Sequence, residues 1–165
     1  YIKEETPVED RLKYFFDILT TDISYRFDRG EEWEPPLLAL SKNSGDCEEF
    51  STTFLSIVKS YNSSLKCYNL AVPNHVTTVC KFNNGQYDYF KFFDEGNTWV
   101  ENNFYNAHTR DEKIKKLYVF MNNYFDTYGL SKDSSDRYVD YAFDDKNVYT
   151  FNNDTEFFDW FIVIQ

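Results

Sequence analysis

NSGDCEEFSTTFLSIV, residues 43–58, decides the fold. Asp46 and Glu49 match a capping box in which Asp replaces the usual Ser or Thr at the N-cap. Phe50, Phe54, Leu55 and Val58 then recur on one apolar face. The spacing predicts a helix over 47–61 with Cys47 in its first turn. That cysteine has two readings. Unbridged cysteine is among the most buried residue types, and capping alone accounts for Asp46 and Glu49. A helix N-terminus, however, favours a thiolate, because its amides and dipole present positive charge. Asp46, Glu48 and Glu49 oppose that with negative charge.

Upstream, Pro7 opens a helical pattern through Leu12, Phe16, Leu19 and Ile23. Gly30, Trp33 and the Pro35-Pro36 pair read as a loop. Downstream, strand-like runs cover 66–72, 75–82 and 86–93, with Asn84-Gly85 as a two-residue hairpin signal. Thr109 and Glu112 form a second capping box, opening a helix to about residue 128, where Gly129 stops it. A polar loop follows over 131–136. Residues 137–151 read as one or two strands with a turn near 144–147, and Asp154 or Thr155 starts a short last helix containing Trp160. The order of elements is an α+β pattern. The length of 165 residues suits one domain, 1–165, with its core at about 7–97.

Composition narrows the partners. A net charge of -11 argues against a nucleic-acid surface and against an anionic membrane, and suits a cationic partner or a metal ion. No apolar run is long enough to span a bilayer. Three cysteines make no disulfide framework; Cys67 and Cys80 read either as one bridge or as two core thiols. The abundance of Asn, Lys, Tyr, Phe and Asp looks like an AT-rich genome, bacterial or phage. The chain begins at Tyr1 rather than Met, which leaves room for a preceding segment.

The hairpin supplies partners for Cys47. With Asn84 and Gly85 central in the turn, counting outward sets Cys80 opposite Tyr89, Thr78 opposite Lys91 and His75 opposite Asp94. Opposed residues share a face, with Cβ atoms about 4.5–5.5 Å apart, so Asp94 reaches the His75 imidazole. Asp88 falls too near the turn to do so. Cys47 is then the nucleophile, His75 its base and later the acid, and Asp94 the orienter. The Cys47 amide is a natural oxyanion donor, with Trp33 and Asn43 as candidates for a second. The competing reading leaves His75 as a strand end and Asp94 as the start of a turn with Glu95 and Gly96.

These residues resemble a family. WEPPLLALSKNSGDCEEFSTTFLSIV is similar to the core of the transglutaminase-like superfamily, nearest its bacterial cysteine peptidases. Trp33, Pro35 or Pro36, Gly45, Asp46, Cys47, Glu48 and Phe50 fit, with Glu49 in place of an Asp. Asn74-His75-Val76 and Phe92-Phe93-Asp94 fit the histidine and aspartate segments. The likeness covers about 7–97. It departs in a short Cys-to-His spacer and in Ser51, Thr52 and Thr53 standing where small residues are usual.

The resemblance implies a papain-like fold, a helix bearing Cys on an antiparallel sheet bearing His and Asp. It implies acyl transfer through a thioester, with a protein or peptide as substrate. Water as acceptor makes a cysteine peptidase or amidase, and an amine makes a cross-linking transglutaminase. A non-catalytic module, for example in a phage particle, is the reading from another class. Some relatives hold calcium at positions matching Asp46, Glu48 and Glu49, and carboxylate oxygens suit that ion; no other cofactor is implied. Periplasm, cytoplasm and virion all remain open as the compartment, and the oligomeric state is open too.

Overall fold

The structure, a computed structural model, describes residues 5–27, 33–94, 98–127 and 138–163, with 98–102 as backbone only. Gly30, the Glu95-Gly96 pair, Gly129 and the 131–136 loop expected from the sequence lie outside the described residues.

Helix α1 spans Val8–Asp22, α2 Pro36–Lys42, and α3 Cys47–Tyr61. A parallel pair, β1 at Ser24–Tyr25 and β2 at Ser44–Gly45, leads into α3. The main sheet holds β3 Cys67–Val72, β4 His75–Asn83, β5 Asp88–Asp94, β6 Thr98–Asn103, β7 Tyr141–Phe143 and β8 Val148–Thr150. Its order is β6-β5-β4-β3-β7-β8, with every neighbour antiparallel. Helices α4, Arg110–Thr127, and α5, Asp154–Val163, complete the described elements. Residues beyond the expected core thus add strands at both sheet edges.

Strand alternation sorts the side chains to two faces. Leu70, Val79, Phe90 and Phe92 share a core with Leu117, Tyr124, Phe157 and Phe161 from α4 and α5. Cys67, Cys80 and Phe93 share the other with Leu12, Phe16, Phe54 and Val58 from α1 and α3. Phe16 sits 5.3 Å from both Phe50 and Phe54 and 5.4 Å from Phe93, centroid to centroid. Aromatic pairs at such distances each add about 0.5–1.5 kcal/mol beyond area burial. Glu9 ties α1 to the sheet by accepting from Lys91 and Tyr89. Cys67 and Cys80, directly opposed on β3 and β4, form a disulfide.

Three sequence expectations change. The stretch around Pro35-Pro36 becomes a helix, because Pro36 occupies its first turn, where no amide is needed. Strand β6 has no counterpart in the sequence reading. The β4–β5 register is two residues off the expected one: Cys80 faces Lys91 and Thr78 faces Phe93. The Asn83 and Asn84 side chains accept amides from Gly85, Gln86 and Tyr87, wrapping a longer turn over 84–87.

Candidate active site

The capping box forms as the sequence predicts. Asp46 accepts from the Glu48 amide at 3.2 Å, and Glu49 Oε2 accepts from the Asp46 amide at 3.2 Å. Glu49 Oε1 also takes the Glu34 amide at 2.8 Å, fastening the preceding loop to the helix start. Gly45 is required there, since a Cβ on it would lie 2.5 Å from Glu49 Cβ.

Two hydroxyls seat α3 on the sheet. Ser51 donates to the Val76 carbonyl at 3.0 Å, and Thr78 donates to the Ser51 carbonyl at 3.3 Å. Further along α3, Phe54 and Val58 share a core with Cys67 and Cys80. The helix therefore runs beside β4 in the same direction, its start over the His75 end. Cys47 stands one turn, about 6 Å, before Ser51 on the same helix face. The helix bearing Cys47 is thus packed on the sheet that bears His75 and Asp94.

His75 opens β4 directly after a two-residue turn, in which Pro73 precedes Asn74 at φ 61°. Its Nε2 lies 2.7 Å from Asp94 Oδ1, with both residues buried. Continued along the observed ladder, Asp94 falls opposite Thr77, diagonal to His75 and on its face. A shift of two residues keeps the face, so the pairing survives the altered register. The other Asp94 oxygen, Oδ2, accepts from the Tyr124 hydroxyl at 2.7 Å. Sequence reasoning missed Tyr124, because no local pattern links an α4 residue to a strand end.

Cys47 is buried and outside any disulfide. Its Sγ lies 3.0 Å from Glu48 Oε2. Burial pushes the Glu48 carboxyl up, but hydrogen bonds with Asp46, the Cys47 thiol and its own amide outweigh this and hold it below the ordinary value. Burial and the neighbouring Asp46 push Glu49 up.

Asp46, Cys47 and Glu48 offer ligand atoms within 4.8 Å of one another. The two carboxylates suit a hard cation and the sulfur does not. Glu49, the third residue the resemblance implied, is turned instead to the Glu34 and Asp46 amides. Of the candidate oxyanion residues, Asn43 is the left-handed C-cap of α2, at φ 52° with its amide on the Leu40 carbonyl. Trp33 lays its ring 5.5 Å from Phe143 on β7 and is 42% exposed. Tyr141, on the same strand, has its hydroxyl pKa pushed up by burial and then by the charges of Asp140 and Glu48.

No protein-family model and no curated protein matches the sequence. Among solved structures, calcium-bound LapG of Legionella pneumophila is similar at TM-score 0.52 and 14% identity, over 91% of this chain and 72% of that one. Among the described residues no helix is long and apolar enough to cross a membrane. The Cys-bearing helix packed on His- and Asp-bearing antiparallel strands and the likeness to LapG together give this chain an α+β fold shared with that structure.

Proposed function

We propose that the chain is a thiol hydrolase that cleaves a peptide or isopeptide bond with Cys47, His75 and Asp94. The buried 2.7 Å His75–Asp94 pair, at the sheet end that meets the start of α3, carries this reading. With Nε2–H given to Asp94, Nδ1 is the nitrogen that takes the thiol proton. The thiolate attacks the carbonyl carbon, and the Cys47 amide steadies the oxyanion. The imidazolium returns the proton to the leaving amine, which leaves a thioester on Cys47. Water, deprotonated by His75, then releases the acid. Trp33 and Asn43 stay the candidates for a second oxyanion donor, Asn43 through its side-chain amide, since its backbone N–H is on the Leu40 carbonyl.

The similar LapG structure is calcium-bound, and in this chain Asp46 and Glu48 would hold such an ion. It would supply positive charge beside a thiol that now faces a carboxylate. The Cys67–Cys80 disulfide supports an oxidising compartment such as a periplasm.

Cys47→Ala should abolish cleavage of a peptide substrate while leaving the melting curve unchanged. Iodoacetamide at neutral pH should label Cys47 faster than a model thiol. Full turnover by Cys47→Ala would overturn the assignment. Incorporation of a labelled amine into a glutamine peptide would make the acceptor an amine rather than water.

A further inference from the structure

At the other end of α3 from Cys47, about 18 Å along the helix, Lys59 points into a groove of about 480 Å³. Its side chain is only 9% exposed. An ammonium has three N–H donors. Among the described residues Lys59 Nζ makes one hydrogen bond, 2.9 Å to the Leu65 carbonyl. Asp145 Oδ1 stands at 3.9 Å, an ion pair beyond hydrogen-bond reach, and the Tyr68 ring centroid is 5.5 Å away. An ammonium this buried, held by one carbonyl and a distant carboxylate, gains from a further charged acceptor in the groove.

The surroundings fit such an acceptor. Lys66 and Lys146 line the same groove with Asp144 and Asp145, so it carries one more positive than negative side chain within a chain of net charge -11. Burial lowers the Lys59 pKa; Asp144 and Asp145 oppose this, and Lys146 and Lys66 add to it. Asp144 is partly engaged in its own turn, accepting the Lys146 and Asn147 amides at 2.8 Å each. The wall is aromatic: Trp160 lies 5.2 Å from Tyr68 and 5.1 Å from Tyr149.

We propose that this groove binds an oxyanion, a carboxylate or a phosphate, carried on a flat apolar group. The anion takes the unused Lys59 donors and offsets the repulsion among the lysines, while the ring lies against Tyr149 and Trp160. This site is independent of the chemistry at Cys47.

The full chain is titrated with benzoate, phenyl phosphate and inorganic phosphate at fixed ionic strength, followed by amide and indole NMR signals. Saturable shifts are expected at Lys59, Lys146 and Trp160 with the phenyl ligands, the tighter of the two identifying the anion. Lys59→Met should weaken binding at least about ten-fold. Lys146→Ala, in an exposed turn that leaves the fold intact, should weaken it several-fold and decides the matter if Lys59→Met does not fold. Absence of saturable shifts with all three probes, or unchanged affinity in Lys146→Ala, overturns the proposal. Equal affinity for inorganic phosphate and phenyl phosphate overturns the aromatic part of it.

Discussion

Tyr124 holds the Asp94 oxygen that His75 does not use. The two hydrogen bonds are each 2.7 Å, one to Oδ1 and one to Oδ2. Both Asp94 and Tyr124 are buried, so the carboxylate is fixed from two sides by groups that cannot easily swing away. Tyr124→Phe leaves Oδ2 without this donor, at a cost of about 1–3 kcal/mol in stability. It also concentrates charge on Asp94 and so favours protonated His75. If His75 is the base and acid proposed above, the alkaline limb of the cleavage pH profile should move upward while kcat/KM falls. A fall in melting temperature with the limb unmoved would reduce Tyr124 to a structural part.

Gly45 controls the start of α3 through a single close approach. Gly45→Ala drives a methyl group against Glu49 Cβ and should displace the carboxylate that holds the Glu34 and Asp46 amides. The expected cost is about 1–3 kcal/mol by denaturant melting. Alkylation of Cys47 should change with it, because its helix turn shifts. An unaltered melt and labelling rate would show that Glu49 yields without consequence.

The calcium site proposed at Asp46 and Glu48 can be tested without any substrate. Calcium in about hundred-fold excess over its dissociation constant should stabilise the protein by about 2.7 kcal/mol, reversibly with a chelator. Glu48→Gln should remove the response. Asp46→Asn should weaken it while keeping the cap, since Asn and Asp cap a helix about equally well. No calcium-dependent rise in melting temperature would exclude the ion at these carboxylates.

Acid stability should depend on Glu9. Burial raises its carboxyl pKa, but hydrogen bonds from Lys91 and Tyr89 and the Lys91 charge outweigh this and hold it below the ordinary 4.5. A lowered carboxyl pKa gives stability that is present above the unfolded value and lost as pH falls through the folded one. Glu9→Gln should therefore cost about 1–3 kcal/mol at neutral pH. The gap to the unsubstituted protein should close below about pH 4.5. A gap that stays constant across that range would assign the loss to packing instead.

What the sequence made legible is what local chemistry encodes. The Asp46–Glu49 box and the Phe50, Phe54, Leu55, Val58 stripe are contained within α3, and α3 forms as they require. His75 and Asp94 could be paired from sequence because side-chain parity in strands survives a slip of two. The slip itself came from Asn83 and Asn84, whose side chains bond turn amides that a two-residue reading ignores. Helix α2 was hidden because its prolines read as breakers, although a proline in the first turn removes an amide the helix never uses. Tyr124 was beyond reach, since its contact with Asp94 spans 30 residues and depends on how α4 lies across the sheet. Ser51, a departure from the family pattern, turns out to anchor the helix beside His75.

The Cys67–Cys80 bridge joins β3 to β4 beneath α3, on the strand that begins with His75. In thiol-buffered cytosol that staple would stay open, and the floor on which the Cys47-bearing helix rests would be looser. A newly made chain would then gain its full rigidity only in oxidising surroundings, so the cleavage proposed for Cys47 would be held back until the bridge closes.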